Sequence, residues 1–315
     1  MALEIFRLQY QYNKIYHTYV DTLKVDPLKI NKIENIPFLP IQFFKTNTVT
    51  TSQFEPEIIF ESSGTTGEST SRHFVKKIFF YKESFMESFK LFYGKPEDWC
   101  ILGLLPGYLE RQNSSLITMV DYLIKVSNHP HSGFYLHDYE KLYQALADNE
   151  IRKQPVLLIG VTFALLDFAE RYSIELNYTT VMETGGMKGR REEITREEVH
   201  IFLKQKLGLQ NIHSEYGMTE LLSQAYSKGK GIFRCPPWMK VLVREENDPF
   251  EITAQPGGIK PSAGLINVID LANLYSCCFI ATDDVGKLYS DGSFEVLGRR
   301  DISDMRGCSL LVSTN

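Results

Sequence analysis

Residues 61–67, ESSGTTG, carry the side chains best suited to chemistry on a phosphate chain. Gly64 and Gly67 let the backbone approach a ligand closely and take up unusual dihedrals, while Ser62, Ser63, Thr65 and Thr66 add hydroxyl donors to the backbone N–H groups. A string of this composition also serves as an ordinary solvent turn, so alone it leaves both uses open. Further clusters of small, acidic and basic residues follow: METGGMKGR at 182–190, SEYGMTE at 214–220, TDDVG at 282–286 and GRRDISDMRG at 298–307.

The elements that must position these clusters can be read from periodicity. IIF at 58–60 is a short strand feeding the glycine loop, and the stretch from about Lys82 to Tyr93 has helical spacing, a context that favours a phosphate site. From about 98 to 215, apolar strands alternate with amphipathic helices: DWCILGLLP, then SLITMVDYLIKV, QPVLLIG, TFALLDFAERYSI and TTVMETGG. Thr195 followed by Glu198 has capping-box spacing ahead of the helix EEVHIFLKQKLG, which should stop near Gly208. This alternation predicts an α/β sheet, in which ligands sit beyond the carboxyl ends of strands, where METGG and SEYGMTE both fall. Residues 1–55 read as a helical, aromatic-rich lead-in, 56–229 as the α/β core, 230–300 as a smaller β-rich subdomain, and 301–315 as a short tail.

Composition narrows the class. A chain of 315 residues that is 43% hydrophobic can fill a substantial core. Its five cysteines show neither CxxC nor Cys/His metal spacing, which predicts reduced thiols and no zinc. The N-terminus lacks a signal-peptide pattern and no segment approaches 18 charge-poor apolar residues, so a cytoplasmic protein without a membrane span is expected. A formal charge of −5, with Lys and Arg dispersed, argues against nucleic acid as a partner.

Taken in order, the glycine loop, SEYGMTE, TDDVG and GRRD resemble the motifs of the superfamily of enzymes that join carboxylates to AMP. Within it the chain is most similar to the acyl-protein synthetase family, the fatty-acid-activating component of bacterial luminescence systems, with phenylacetate–CoA ligases as relatives. LPGYLERQNSSLITMVDYLI at 105–124 and METGGMKGR sharpen this placement. The resemblance implies the large-domain fold of adenylate-forming enzymes, with ATP and Mg2+ as cofactors and CoA as a further candidate.

It also implies roles for residues. Ser62, Ser63, Gly64, Thr65, Thr66 and Gly67 would hold the β- and γ-phosphates. The lysine usual after that loop is missing from ESTSRH, and Arg72, His73 or Lys76 are the candidates to supply its charge. Tyr216 would pack on adenine, Thr219 contact the α-phosphate and Glu220 help hold magnesium; a tyrosine ring gives a flat apolar face, and a carboxylate beside phosphates suits a hard cation. Gly185 and Gly186 would line the adenine face, Asp284 would accept from the ribose hydroxyls with Asp283 adjacent, and Arg299 would face ribose or phosphate. His213 has two readings, facing the carboxylate or serving as a hydrogen-bonded structural histidine.

Asp301 matches the hinge before the family's C-terminal lid, and Asp304 stands where a lysine often follows it. The expectation is that the lid and its catalytic lysine are absent from the chain. Cys308 is the nearest positional candidate for an acyl-accepting thiol, with incidental cysteine the competing description for it and for Cys277 and Cys278. The expected function is ATP-dependent activation of a carboxylic, fatty-type acid as acyl adenylate, with transfer to a thiol of a protein, carrier or CoA. Expected partners are an acyl carrier protein, an acyltransferase or reductase, or a separate lid subunit. The alternatives are an acyltransferase-like enzyme using a pre-activated acyl group and a non-catalytic nucleotide- or acyl-binding subunit.

Overall fold

The computed structural model describes residues 1–62, 70–107, 113–185, 195–246, 248, 250–254, 257 and 261–300. The chain opens with helices α1 (Ala2–Tyr12) and α2 (Lys14–Thr22). They are separated by Asn13, whose extended backbone lets its side chain accept from the Tyr16 N–H at 3.0 Å and cap α2. Phe6, Tyr16 and Val20 point inward, but so do two polar residues, Gln9 and Asn13, both fully buried. The Gln9 amide donates to the carbonyls of Asn273, Leu274 and Ser276 at 3.0–3.2 Å and accepts from the Cys278 N–H at 2.9 Å. Asn13 donates to Ser276 O at 2.9 Å. The lead-in is thus fastened to the far end of the sequence by side chains that satisfy a loop's backbone groups.

Next come β1 (Leu39–Pro40), the short helix α3 (Phe43–Thr46), β2 (Ile58–Glu61) and β3 (Arg72–Val75), then α4 (Ile78–Tyr93). Here the structure corrects the sequence reading. The glycine loop does not run from a strand toward a helix; it joins β2 to β3, which pair antiparallel with Glu61 opposite Arg72. RHFV alternates exposed and buried positions, a period of two that a search for helices passes over. The helix after it begins at Ile78, ahead of the expected Lys82.

The α/β alternation follows: β4 (Cys100–Leu104), α5 (Ser115–Ser127), β5 (Gly133–Phe134), α6 (Tyr139–Ile151), β6 (Val156–Val161), α7 (Thr162–Arg171), β7 (Thr179–Thr184), α8 (Arg196–Leu207) and β8 (His213–Tyr216). The order β5-β4-β6-β7-β8 is parallel throughout. Its inner strands are apolar on both faces because helices cover both. Cys100, Leu102 and Leu104 join a core with α6, α7 and α8, whereas Ile101 faces the opposite core with Phe85 and Phe89 of α4 and Val120 of α5. The predicted capping box forms on α8, with the Glu198 N–H donating to Thr195 Oγ1 at 3.2 Å and the Thr195 N–H to Glu198 Oε2 at 2.7 Å. Gly208, at φ +65°, ends that helix in the left-handed region.

The remaining strands are β9 (Ala225–Ser227), β10 (Ile232–Arg234), β11 (Met239–Arg244), β12 (Ile252–Ala254), β13 (Ser262–Asp270), β14 (Phe279–Leu288) and β15 (Phe294–Arg299). They continue from β8 in the order β9-β10-β15-β14-β13-β11-β12, pairing antiparallel, while β1 adds in parallel to β14. Among the described residues this makes one hydrogen-bonded network of 13 strands, parallel at one end and antiparallel at the other. No described helix is long and apolar enough to cross a membrane.

Candidate functional site

The base of the glycine hairpin is a pair of serines. The Ser62 N–H donates to Ser71 O at 3.0 Å, and the Ser71 N–H returns to Ser62 Oγ at 2.9 Å. Ser71, His73 and Val75 occupy the buried face of the returning strand. From that face His73 Nδ1 donates to the Thr219 carbonyl at 2.8 Å, and the Ser71 hydroxyl lies in the neighbourhood of the Glu220 carboxyl, where it favours the charged form. His73 is therefore not a stand-in for the missing loop lysine. Burial lowers its pKa to about 4, so its ring is neutral near pH 7. Arg72 is exposed and lies over the Phe74 ring at 5.6 Å, and Lys76 lies over Tyr275 at 4.2 Å.

The turn after β8 is gripped from a second side. The Leu222 and Ser223 N–H groups donate to Asp270 Oδ2 at 2.8 and 3.0 Å, the Ser223 hydroxyl donates to Oδ1 at 2.6 Å, and Asn273 Nδ2 donates to Glu220 O at 2.7 Å. Glu220 itself is buried at 5% exposure. Burial raises its carboxyl above the ordinary range, with the Ser71 hydroxyl and the Arg299 charge opposing the rise and Asp284 adding to it. Glu220, Ser71, Asp284 and Arg299 thus share one electrostatic neighbourhood.

Tyr216 ends β8, in contact edge-on with Phe233 and Phe294 at 6.0 and 5.5 Å. Its hydroxyl donates to Asp284 Oδ2 at 2.8 Å. Burial raises the Asp284 carboxyl, and the Tyr216 hydroxyl and Arg299 pull against it. The adjacent Asp283 turns to other partners: Gln42 Nε2 at 2.7 Å and the Arg299 guanidinium at 3.9 Å. Arg299, opposite Asp284 across β14 and β15, is largely exposed.

At the end of β7, Glu183 and Thr184 face opposite sides of the sheet. Burial works to raise Glu183, but hydrogen bonding to His200 and the charge of Arg196 outweigh it and leave the carboxyl low; Arg196 Nε and His200 Nε2 lie 3.3 and 3.7 Å away. Thr184 donates to Glu215 Oε2 at 2.5 Å on the other side, where burial pushes Glu215 up to about 7. Gly185 takes φ +74°, which favours glycine, and its carbonyl accepts from Thr162 at 2.7 Å. His213, half-buried, has Nδ1 3.2 Å from the Tyr93 hydroxyl and a pKa lowered by burial to about 4.

Of the residues read from the sequence, Ser62, Thr219, Glu220, Tyr216, Asp284 and Arg299 converge where the parallel strands give way to antiparallel ones. Gly185 follows the end of the neighbouring strand β7, and His213 opens β8, three residues before Tyr216. Ser63, Gly64, Thr65, Thr66, Gly67 and Gly186 lie outside the described residues, as do Asp301, Asp304 and Cys308. Cys277 and Cys278 are fully buried with raised pKa values, which suits packing rather than acyl transfer. Sequence reasoning missed Ser71, Asp270 and Asn273, and read His73 as a charge donor rather than as a partner of the Thr219 carbonyl. The available signal was the period of two in SRHFV, which places Ser71 and His73 on one face.

Glu220 also bears on the magnesium expectation. Among the described residues no group of three metal-ligating side chains occurs. A single buried carboxyl does fit a magnesium ion held mainly by substrate phosphates, since a cation there would offset the cost of burying the carboxylate charge.

Comparison with known proteins gives a family and a fold. The family model described as "Acyl-protein synthetase, LuxE" matches residues 1–315. No curated protein sequence matches the chain. Among solved structures, a long-chain-fatty-acid–CoA ligase from Archaeoglobus fulgidus superposes with a TM-score of 0.52 at 14% identity, covering 81% of this chain and 53% of that one. The luciferase-like enzyme from the nonluminescent Zophobas morio mealworm gives 0.53 at 17% identity, covering 79% and 59%. At these identities the likeness is one of fold, and the chain spans somewhat more than half the length of those proteins. The family match extends over every residue, and with it the chain belongs to the LuxE acyl-protein synthetase family.

Proposed function

We propose that the protein activates a carboxylic acid with ATP, forming an acyl adenylate, and passes the acyl group to a thiol. The observation that carries this reading is the convergence of the glycine hairpin base, the Thr219–Glu220 turn, Asp284 and Arg299 at one junction of the sheet. In the first step a carboxylate oxygen attacks the α-phosphorus, the bond to the bridging oxygen breaks and pyrophosphate leaves. In the second, a thiolate attacks the acyl carbon and AMP leaves.

Each step needs positioning and charge neutralisation more than covalent help from the protein. Ser62 and the loop after it offer donors for the terminal phosphates, Thr219 a hydroxyl for the α-phosphate, and Asp284 a carboxylate for the ribose hydroxyls. Magnesium, held by Glu220 together with phosphate oxygens, would neutralise charge on the leaving pyrophosphate. His213, neutral near pH 7, serves as a hydrogen-bonding group toward the acid and not as a counter-charge. We take a fatty acid as the substrate, and a carrier protein or CoA as the thiol donor, a reading that the family's description as an acyl-protein synthetase supports.

The test is carboxylate-dependent ATP–pyrophosphate exchange with aryl and short-to-long fatty acids, run beside Glu220→Ala. Exchange with at least one acid that is lost in the variant is the expected result. No exchange with any acid would overturn adenylation by this chain alone and leave a nucleotide- or acyl-binding role.

A further inference from the structure

We propose that His73 is a positioning residue that locks the glycine hairpin to the Thr219–Glu220 turn, presenting both to a nucleoside triphosphate as one unit. The nucleotide half of this statement rests on the function proposed above; the lock itself rests on geometry alone. His73 and Thr219 are 146 positions apart, yet the ring Nδ1 reaches the Thr219 carbonyl at 2.8 Å. Two residues earlier on the same face, the Ser71 hydroxyl neighbours the carboxyl of the next residue of the turn, Glu220, and favours its charged form. Asp270 and Asn273 hold the turn from the other half of the chain, so His73 and Ser71 are the arms that reach it from the hairpin.

The chemistry of the ring argues that this bond is what the histidine is for. His73 is 1% exposed and packs edge-on against Phe44, with ring centroids 5.8 Å apart. Its other nitrogen, Nε2, is buried with no hydrogen-bond partner. A buried unpaired acceptor is costly, and a phenylalanine would keep the aromatic contact without that penalty. What phenylalanine lacks is the one N–H that meets Thr219. Joining two phosphate-side elements before the ligand arrives lowers the ordering cost of binding, which should appear in affinity for ATP rather than in turnover.

The test uses the full 315-residue chain carrying His73→Phe, His73→Asn or His73→Gln. An asparagine amide can place its N–H where Nδ1 was, whereas glutamine reaches the Nε2 position. Amide hydrogen exchange over 217–223 without nucleotide reads the lock directly. ATP titration calorimetry and the KM for ATP against kcat in pyrophosphate exchange read its consequence. We expect Phe and Gln to speed exchange in that segment and weaken ATP binding about tenfold, with kcat changed by less than about threefold and Asn close to the unsubstituted protein.

Identical behaviour of Asn and Phe, or unchanged exchange in the Phe protein, would overturn the lock. So would an equal rise in the KM for the carboxylic acid, which marks general loosening of the fold. If the unsubstituted protein binds no ATP, the nucleotide half is overturned while the exchange measurement still decides whether the lock exists.

Discussion

The Tyr216 hydroxyl donates to Asp284 Oδ2 at 2.8 Å, joining the end of the last parallel strand to an antiparallel strand 68 positions later. This bond crosses the junction at which the candidate site lies, and it lowers a carboxyl that burial would otherwise raise further. Tyr216→Phe keeps the ring contacts with Phe233 and Phe294 and removes only the donor. The expected loss of stability is about 1 kcal/mol by chemical denaturation, with a several-fold rise in the KM for ATP. A variant with unchanged KM would mean that the orientation of Asp284 is fixed by its strand alone.

Glu215 provides a test by pH. Its pKa of about 7 in the fold lies above the ordinary 4.5, so between these values the folded chain holds a proton that the unfolded chain has released. Stability attributable to Glu215 therefore falls as pH rises from about 4.5 to 7 and is level above that. His73 and His213, lowered from 6.5 to about 4, act the opposite way: the unfolded chain binds the extra proton, and their contribution rises with pH over that window. Glu215→Gln should leave stability near pH 4.5 almost unchanged and raise it by about 1–3 kcal/mol at pH 8. Denaturant melts at the two pH values check the sign; a loss at pH 8 would show that the ionised carboxylate is stabilising.

Gln9 is a buried polar plug. Gln9→Leu matches its bulk but strips partners from the carbonyls of Asn273, Leu274 and Ser276 and from the Cys278 N–H. Leaving such groups unpaired should cost at least about 2 kcal/mol, read as a lower urea midpoint. A midpoint equal to that of the unsubstituted protein would mean that water replaces the amide.

Asp270 accepts four hydrogen bonds, three of them from Leu222 and Ser223. Asp270→Asn retains one acceptor oxygen and turns an NH2 group toward donors. We expect about 2–4 kcal/mol of destabilisation and a raised KM for ATP, because the turn carrying Thr219 and Glu220 loses its anchor on β13. Stability lost with KM unchanged would separate the anchor from the nucleotide site.

Much of the fold was legible in local sequence. The strands at 100–104, 156–161 and 179–184 and the capped helix at 196–207 follow from apolar periodicity and from Thr195, Glu198 and Gly208. Motif order alone led to the family, because the residues of each motif are contiguous. What the sequence did not decide is which residues meet. A four-residue strand such as RHFV carries too short a pattern to assert itself, and only its pairing with β2 turns Ser71 and His73 toward the turn at 219–220. Adjacent aspartates on one strand face opposite ways, so the sheet's register decides that Asp284 and not Asp283 meets Tyr216. The same holds for Gln9, a polar residue on an amphipathic helix whose burial has no meaning until the loop at 273–278 supplies its partners. Periodicity records which face of an element is turned inward; the partner on the other side of the core, and the burial that shifts Glu215, His73 and His213, exist only once distant segments are packed together.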